Sequence, residues 1–278
     1  MYDVAALGEL LIDFTCLSTD ADGYPTMAAH PGGAPANYLA ALTKFGAKTA
    51  MIGKVGNDAF GRLLIKTLKG TGIDTRGMLV SDDVFTTLAF VTLDDSGNRE
   101  FSFARKPGAD TQLRFDEIDL GVIDASKVLH FGTLSMTNEP ARDATYKAVE
   151  YAAGRGKLIS FDPNLRKPLW NDLDEAKRQM LWGLRHADVV KISDEETEFL
   201  FSLAPEESAK HIINSFGVRL VYVTCGAEGC FYRTKTASGF VKALSGIAVK
   251  DTTGAGDIFG GSSMYGLLKA GGVPEKLT

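Results

Sequence analysis

Cysteine is scarce in this chain: three among 278 residues, Cys16, Cys225 and Cys230, odd in number and wrongly spaced for a zinc site or a disulfide framework. They point to a reducing compartment. No stretch reaches the roughly 18 apolar residues that a membrane span needs. Asp3 and Glu9 interrupt the N-terminus before any long apolar run can form. A cytoplasmic protein with no membrane contact is expected. There is no block of Lys or Arg either: 30 basic residues face 35 acidic ones, a net charge of -5, which leaves no electrostatic footprint for nucleic acid. Gly-x-x-x-x-Gly-Lys-Ser/Thr is also absent, which excludes a P-loop and its lysine. Small-molecule chemistry is the class left standing.

What is present is an ordinary globular composition, 45% hydrophobic and 23% charged, long enough to bury a sizeable core in one large α/β domain or two smaller ones. From residue 127 onward the patterning alternates. Strands are expected at 128–131, 158–161, 189–192 and 220–224, with helices at 141–153, 174–186 and 206–216 between them. Such βαβ repetition implies a mostly parallel sheet covered by helices on both faces, with ligands collecting at the strands' C-terminal ends. Upstream, residues 4–7 form a short apolar strand that ends at Gly8-Glu9 and continues through 10–14, with Asp13 embedded among apolar neighbours. A helix follows Gly32-Gly33 on the face Tyr38, Ala41, Leu42 and Phe45 and stops at Gly46; another covers 60–68. Residues 86–93 and 99–105 flank Asp94-Asp95-Ser96-Gly97 and read as a β-hairpin, which breaks the alternation and suggests a small sheet outside the main one.

The stretch with the most chemistry is Asp251-Thr252-Thr253-Gly254-Ala255-Gly256-Asp257, placed between a strand-like run, 246–249, and a helix-like run, 258–268. Small residues there let the backbone approach a bound anion, and the amides opening the next helix point at it. A carboxylate at Asp257 would repel a phosphate. It suits a base that takes a proton from a hydroxyl while neighbouring amides hold the phosphoryl group under attack. As an isolated Gly-Ala-Gly-Asp, the same stretch is a turn with an acid favoured by the helix dipole. A dinucleotide reading of Gly254, Gly256 and Gly260 fails, because too little chain follows for a βαβ unit. Three more polar segments fall at strand ends: Asp162-Pro163-Asn164-Leu165-Arg166, Ser193-Asp194-Glu195-Glu196 and Thr224-Cys225-Gly226-Ala227-Glu228-Gly229. Each alone reads as a turn or a capped helix start. Together, at one edge of one sheet, they read as a site.

The seven residues from Asp251, with the run from Gly32 through Asn37 to Gly61, resemble the two signatures of the PfkB (ribokinase-like) family of sugar kinases, and the segments at 105–110 and 162–166 are most similar to bacterial fructokinases. The resemblance implies a ribokinase-like three-layer α/β/α fold, with a β lid over the sugar formed by about 14–30 and 84–107 that also offers a homodimer contact. The implied reaction is ATP-dependent phosphorylation of a sugar hydroxyl, with fructose to fructose 6-phosphate the first choice. Asp257 becomes the general base and the amides of Gly254, Ala255 and Gly256 the anion hole. Asp13, Gly32, Gly33, Asn37, Arg105 and Arg166 fall to the sugar or its product phosphate, with Arg166 also able to face the donor's phosphates. Asn164, Thr224, Gly226 and Gly229 fall to the nucleotide. Glu196 would order Mg2+, partly through water, although Ser193 stands where the family has Asn. Asp251 and Thr253 would hold a monovalent cation such as K+. Within the class, 2-keto-3-deoxygluconate or a ribokinase-type sugar is the alternative substrate; outside it, a sugar-binding regulator with impaired catalysis. Family members normally continue beyond the helix after this turn, whereas this chain stops at Thr278, so a shortened C-terminal segment is expected.

Overall fold

The computed structural model describes residues 1–93, 99–246, 249 and 252–274. Its main sheet has nine strands in the order β13-β12-β11-β10-β9-β8-β1-β4-β5. These are β1 (Tyr2–Leu7), β4 (Thr49–Gly56), β5 (Asp74–Ser81), β8 (Ser126–Gly132), β9 (Leu158–Asp162), β10 (Val189–Ser193), β11 (Leu220–Thr224), β12 (Gly229–Arg233) and β13 (Ser238–Lys242). From β5 to β11 every pairing is parallel, and β12 and β13 close one edge antiparallel. A second sheet has the order β3-β2-β6-β7, from β2 (Leu11–Thr19), β3 (Pro25–Gly32), β6 (Leu88–Leu93) and β7 (Arg99–Ala104).

The layering follows from strands that are apolar on both faces, as parallel strands covered by helices must be. Along β1, Ala5 and Leu7 enter one core and Val4 and Ala6 the other. The first core is completed by α4 (Ala141–Gly154), α5 (Leu173–His186) and α7 (Pro205–Phe216) through Val149, Met180, Leu184 and Ile212. The second is completed by α1 (Ala34–Lys44), α2 (Ala59–Thr71) and α8 (Ala255–Lys269) through Leu39, Leu42, Leu64 and Met264. Each such side chain contributes about 1.5–3 kcal/mol when fully buried. The remaining helices are the short α3 (Leu120–Asp124) and α6 (Asp194–Phe201). This is the three-layer α/β/α arrangement that the alternation implies.

One expectation changes. The first strand does not continue through 10–14: β1 stops at Leu7, and Leu11 opens β2 in the small sheet. A side chain at Gly8 would meet Pro35 Cγ at 2.7 Å, so the chain turns where α1 packs closely. The strands β4 and β5 have no strand-like signal in their apolar pattern. Lys54 interrupts β4, and is accommodated by Glu117, which pairs with it at 2.6 Å from a distant turn, and by the Gln112 carbonyl, which accepts from it at 3.1 Å. The expected hairpin turn at 94–98 lies outside the described residues, as do 247 and 248 of the strand-like run before the 251–257 turn. The chain starts in the middle of the sheet, builds outward to β5, then returns beside β1 as β8 and builds the other way. The C-terminal ends at that reversal are where a ligand crevice forms.

Candidate active site

A cleft of about 1720 Å³ runs over those strand ends. Pockets of roughly 300–1,000 Å³ hold one small ligand, so this cleft has room for two. One half lies under the small sheet, walled by Asp13, Thr15, Leu17, Val91 and Phe103; the other extends past Thr224 and Gly226 to Val241 and Leu244. Residues 252–257 line the cleft as well. Gly254 adopts a left-handed conformation (φ 72°) and opens α8 without a side-chain cap. A side chain there would also crowd Asn37 Nδ2 at 3.3 Å.

Asp257, in the first turn of α8, is only 8% exposed. Its Oδ2 accepts a hydrogen bond from Asn37 Nδ2 at 2.9 Å. Burial, together with the neighbouring Asp162 carboxylate, pushes its pKa up to about 6; the bond from Asn37 and the charges of Lys191 and Arg166 keep it from rising further. A carboxyl in that range is a competent base near neutral pH. Among the expected anion-hole amides, Ala255 N–H already donates to the Thr252 carbonyl at 3.1 Å and closes the turn. Gly254 and Gly256 both line the cleft.

The glycines before α1 have a different use from the one expected. A side chain on Gly32 would strike Asp13 Oδ2 at 2.1 Å, and one on Gly33 the Glu9 carbonyl oxygen at 2.5 Å. They make room for acidic neighbours as much as for a ligand. Gly33 and Asn37 line the cleft and Gly32 does not. Asp13 faces the cleft with its pKa raised by burial and moderated by Arg166 and His30. Arg166 is exposed on the same wall.

Arg105, expected at the sugar, is not itself among the residues that line the cleft. It is buried behind the cleft-lining Leu134, with Nε and Nη2 donating to Asp110 Oδ2 at 2.8 and 2.7 Å, Nη1 to Thr137 Oγ1 at 2.7 Å and Nη2 to the Leu134 carbonyl at 2.8 Å. A guanidinium so occupied holds its loop together. Asp110 is five residues away on a single 3-10 turn, Ala109–Gln112, and periodicity carries no trace of the pairing.

Among the residues expected to meet a nucleotide, Asn164 is buried at a positive φ of 45°, and its backbone N–H donates to Asp162 Oδ1 at 3.1 Å. Thr224, Gly226 and Gly229 line the far half, where β12 turns back on β11. Glu196 and Ser193 form a capping box at the start of α6. Glu196 Oε2 accepts from Ser193 N at 2.8 Å and Oε1 from Leu165 N at 2.7 Å, so this one acid clamps two strand-end segments together. Its pKa is raised by burial and by Asp162, against the pull of Lys191 and both amides. Thr253 lines the cleft; Asp251 lies outside the described residues. No group of three or more His, Cys, Asp or Glu that could hold a metal occurs among the described residues.

Two cleft residues were not singled out as site residues from the sequence. Glu9, 2% exposed, accepts from Ala34 N at 2.9 Å and has its pKa pushed by burial to about 7. Lys191 stands in the middle of β10 and pairs with Asp162 Oδ2 at 3.1 Å. A lone cation in an otherwise apolar buried strand was the available signal.

A family model described as pfkB family carbohydrate kinase matches residues 1–277. The chain is 43% identical over 263 residues to "Probable fructokinase-4" of Arabidopsis thaliana, covering 93% of this chain and 80% of that protein. It is 43% identical over 265 residues to Fructokinase-2 of Solanum lycopersicum, with the same coverage of 93% and 80%. Among solved structures, fructokinase with bound ATP from Xylella fastidiosa superposes with a TM-score of 0.88 at 30% identity, over 97% of this chain and 82% of that one. An E. coli protein described as a candidate ribokinase II, in complex with ATP and Mg2+, gives 0.87 at 30% identity, over 97% and 87%.

Proposed function

The chain belongs to the pfkB family of carbohydrate kinases and is a sugar kinase, and from that premise we propose that it transfers the γ-phosphoryl group of ATP to fructose, giving fructose 6-phosphate. The observation that carries the mechanism is Asp257: a carboxyl with a pKa of about 6, oriented by Asn37, beside the uncapped start of α8. A sugar hydroxyl is a poor nucleophile until its proton has somewhere to go. Asp257 takes that proton as the oxygen bonds phosphorus, while the amides of Gly254 and Gly256 stabilise the charge on the group in transit.

The sugar rests under the small sheet against Asp13 and the α1 start, with Asn37 shared between sugar and base. Arg166 faces the phosphate. The donor occupies the far half, its base toward Val241 and Leu244 and its phosphates toward Asn164, Thr224, Gly226 and Gly229. The cleft's hard oxygen donors suit magnesium, which would neutralise charge on the donor's phosphates, with Glu196 the residue that would order it. Thr253 and Asp251 would hold a monovalent cation, K+ in our reading, whose charge would stiffen the turn. Leu17 and Tyr24, 67% and 70% exposed on the small sheet and its turn, favour a homodimer contact there. No helix among the described residues is long and apolar enough to cross a membrane, and the demand for ATP favours a cytoplasmic location.

A 2-keto-3-deoxygluconate substrate needs a cation for its carboxylate, and with Arg105 tied to Asp110 that duty falls on Arg166 alone. Steady-state assays with ATP and a panel of fructose, ribose, glucose and 2-keto-3-deoxygluconate test the substrate. Fructose gives the highest kcat/KM in this reading. Preference for another sugar would replace fructose, and no phosphorylation of any sugar would overturn the proposed reaction.

A further inference from the structure

The first turn of α1 has neither a side-chain cap nor an acid of its own: Gly33 occupies the cap position, and Ala34, Pro35 and Ala36 follow. A helix start of this kind leaves amides open. Glu9, two residues beyond the end of β1, supplies what is missing, because its Oε1 accepts from Ala34 N–H at 2.9 Å. The two glycines before the helix each have an acidic residue packed against them. The Asp13 carboxylate stands where a side chain on Gly32 would go, and the Glu9 carbonyl oxygen lies 2.5 Å from the place of a Cβ on Gly33. One turn further on, Asn37 N–H donates to the Gly33 carbonyl at 3.1 Å and the Asn37 side chain holds Asp257. Three acids therefore meet at one helix start. Asp13 and Asp257 have work in the reaction proposed above, and Glu9 has none.

Capping alone does not account for Glu9, since a Ser or Asn at the cap position would serve the same amide without burying a carboxyl. Glu9 is 2% exposed, yet it lines the cleft together with Gly33, Ala34 and Asn37. Burial pushes its pKa to about 7, the amides of Glu9 itself and of Ala34 hold it down, and the charges of Asp110 and Arg105 oppose one another. Arg105 gives Glu9 little direct help, with Nε and Nη2 both donating to Asp110 Oδ2. An ionised carboxyl has about four acceptor sites, and a protonated one also has a donor. Two amides exhaust neither form, and a buried polar group with bonding capacity left over costs stability. A sugar hydroxyl both donates and accepts, so it completes either one.

Resting on the kinase reading above, we propose that Glu9 is a sugar-binding and specificity residue: its carboxyl hydrogen-bonds a hydroxyl of the bound sugar other than the one that Asp257 deprotonates. The bond from Ala34 fixes Oε1 on the same helix start that fixes Asn37. The position of that second hydroxyl is thereby set relative to the base, and a sugar lacking it leaves a buried carboxyl short of a partner.

Glu9→Ala and Glu9→Gln test this with fructose and a set of fructose analogues, each lacking one hydroxyl other than the one phosphorylated. In wild type, one analogue is expected to lose about 10–10²-fold in kcat/KM relative to fructose, the usual worth of a hydrogen bond to a charged group. In Glu9→Ala the fructose kcat/KM falls by a similar factor, chiefly through KM, while that analogue reacts as in wild type, so the discrimination disappears. Glu9→Gln, which keeps an acceptor, restores much of it. KM for ATP stays within about threefold in both variants. Glu9→Leu, which fills the space without a polar atom, takes the place of Glu9→Ala should that variant fail to fold. A cap without a substrate contact gives another pattern: fructose and every analogue lose by the same factor to within about threefold. That result would overturn the proposal, as would a wild type that discriminates against none of the analogues. If the wild type phosphorylates no sugar, the kinase reading fails by itself, and calorimetric binding of fructose and the analogues to wild type and variants still decides the role of Glu9.

Discussion

Asn37 and Asp257 are 220 residues apart in the chain and 2.9 Å apart in the fold, the amide of one donating to the carboxylate of the other. The bond ties the first helix to the last at the centre of the cleft. It also favours the charged form of Asp257, against burial and Asp162. Because the base acts deprotonated, turnover rises with pH through its pKa, with an ascending limb near pH 6. Asn37→Ala removes the donor, raises that pKa and moves the limb to higher pH. A pH–kcat profile of the two proteins checks this; an unmoved limb would show that another group controls it.

Asp257→Asn separates catalysis from stability. Loss of the base lowers turnover by about 10²–10⁴-fold while fructose affinity persists. The folded-state pKa of Asp257 is raised from 3.8 to about 6, so the folded protein binds this proton more tightly than the unfolded chain. The stability from that preference is fully present below pH 3.8 and is lost as pH rises through about 6. Above pH 6 the ionised, buried Asp257 therefore destabilises the wild type by an amount on the order of 3 kcal/mol, and Asn relieves it. The dead variant melts higher than wild type at pH 7.5, and the gap narrows as pH falls. Equal melting at both ends would contradict the raised pKa.

Gly32→Ala tests the sugar floor without touching the catalytic turn. Its methyl would lie 2.1 Å from Asp13 Oδ2 and 2.9 Å from Cγ, and a short side chain can escape only by rotating out of place. KM for fructose rises by about tenfold, and KM for ATP does not. Equal increases in both would show that the substitution disturbs the α1 start rather than Asp13.

Arg105→Ala is a stability variant. Removing the guanidinium leaves Asp110 buried at 4% exposure without its partner. A broken buried pair of this kind costs about 3–5 kcal/mol. Urea unfolding shows the loss, while the folded protein keeps its fructose KM within about threefold. A large KM effect with little loss of stability would return Arg105 to the sugar site.

How far these roles could be read in advance depended on whether a residue acts through its neighbours in sequence. Asp257 was legible because the whole turn that aims it is contiguous. The alternation from residue 127 likewise revealed β8 to β11, because each strand carries its own pattern. Gly32 and Gly256 were recognised as close-approach glycines, but what approaches them, Asp13 and Lys191, comes from other strands. Lys191 leaves no local trace, because one cation in a five-residue strand keeps the pattern intact; only its partner on β9 reveals the burial. Arg105 has the right chemistry for an anion, but its pairing with Asp110 could not be read in advance, because no local rule dictates the path of the segment that brings them together.

Glu196→Gln asks whether one acid can both clamp the backbone and serve the metal. In the fold its two oxygens accept from Ser193 N and Leu165 N, which join the start of α6 to the Asp162–Arg166 segment. A carboxylate oxygen has a second lone pair, so each can hold an amide and still face a magnesium-bound water. Glutamine keeps one acceptor and turns an NH2 toward the other amide, so one clamp bond is lost and a donor faces a donor. That alone lowers the melting temperature and leaves the magnesium titration of activity unchanged. If Glu196 also orders the metal, the magnesium concentration for half-maximal turnover rises as well, because the site loses its negative charge. We expect both effects. A drop in melting temperature with an unshifted magnesium titration would leave Glu196 a clamp, and would transfer the metal's protein contacts to other oxygen donors in the cleft.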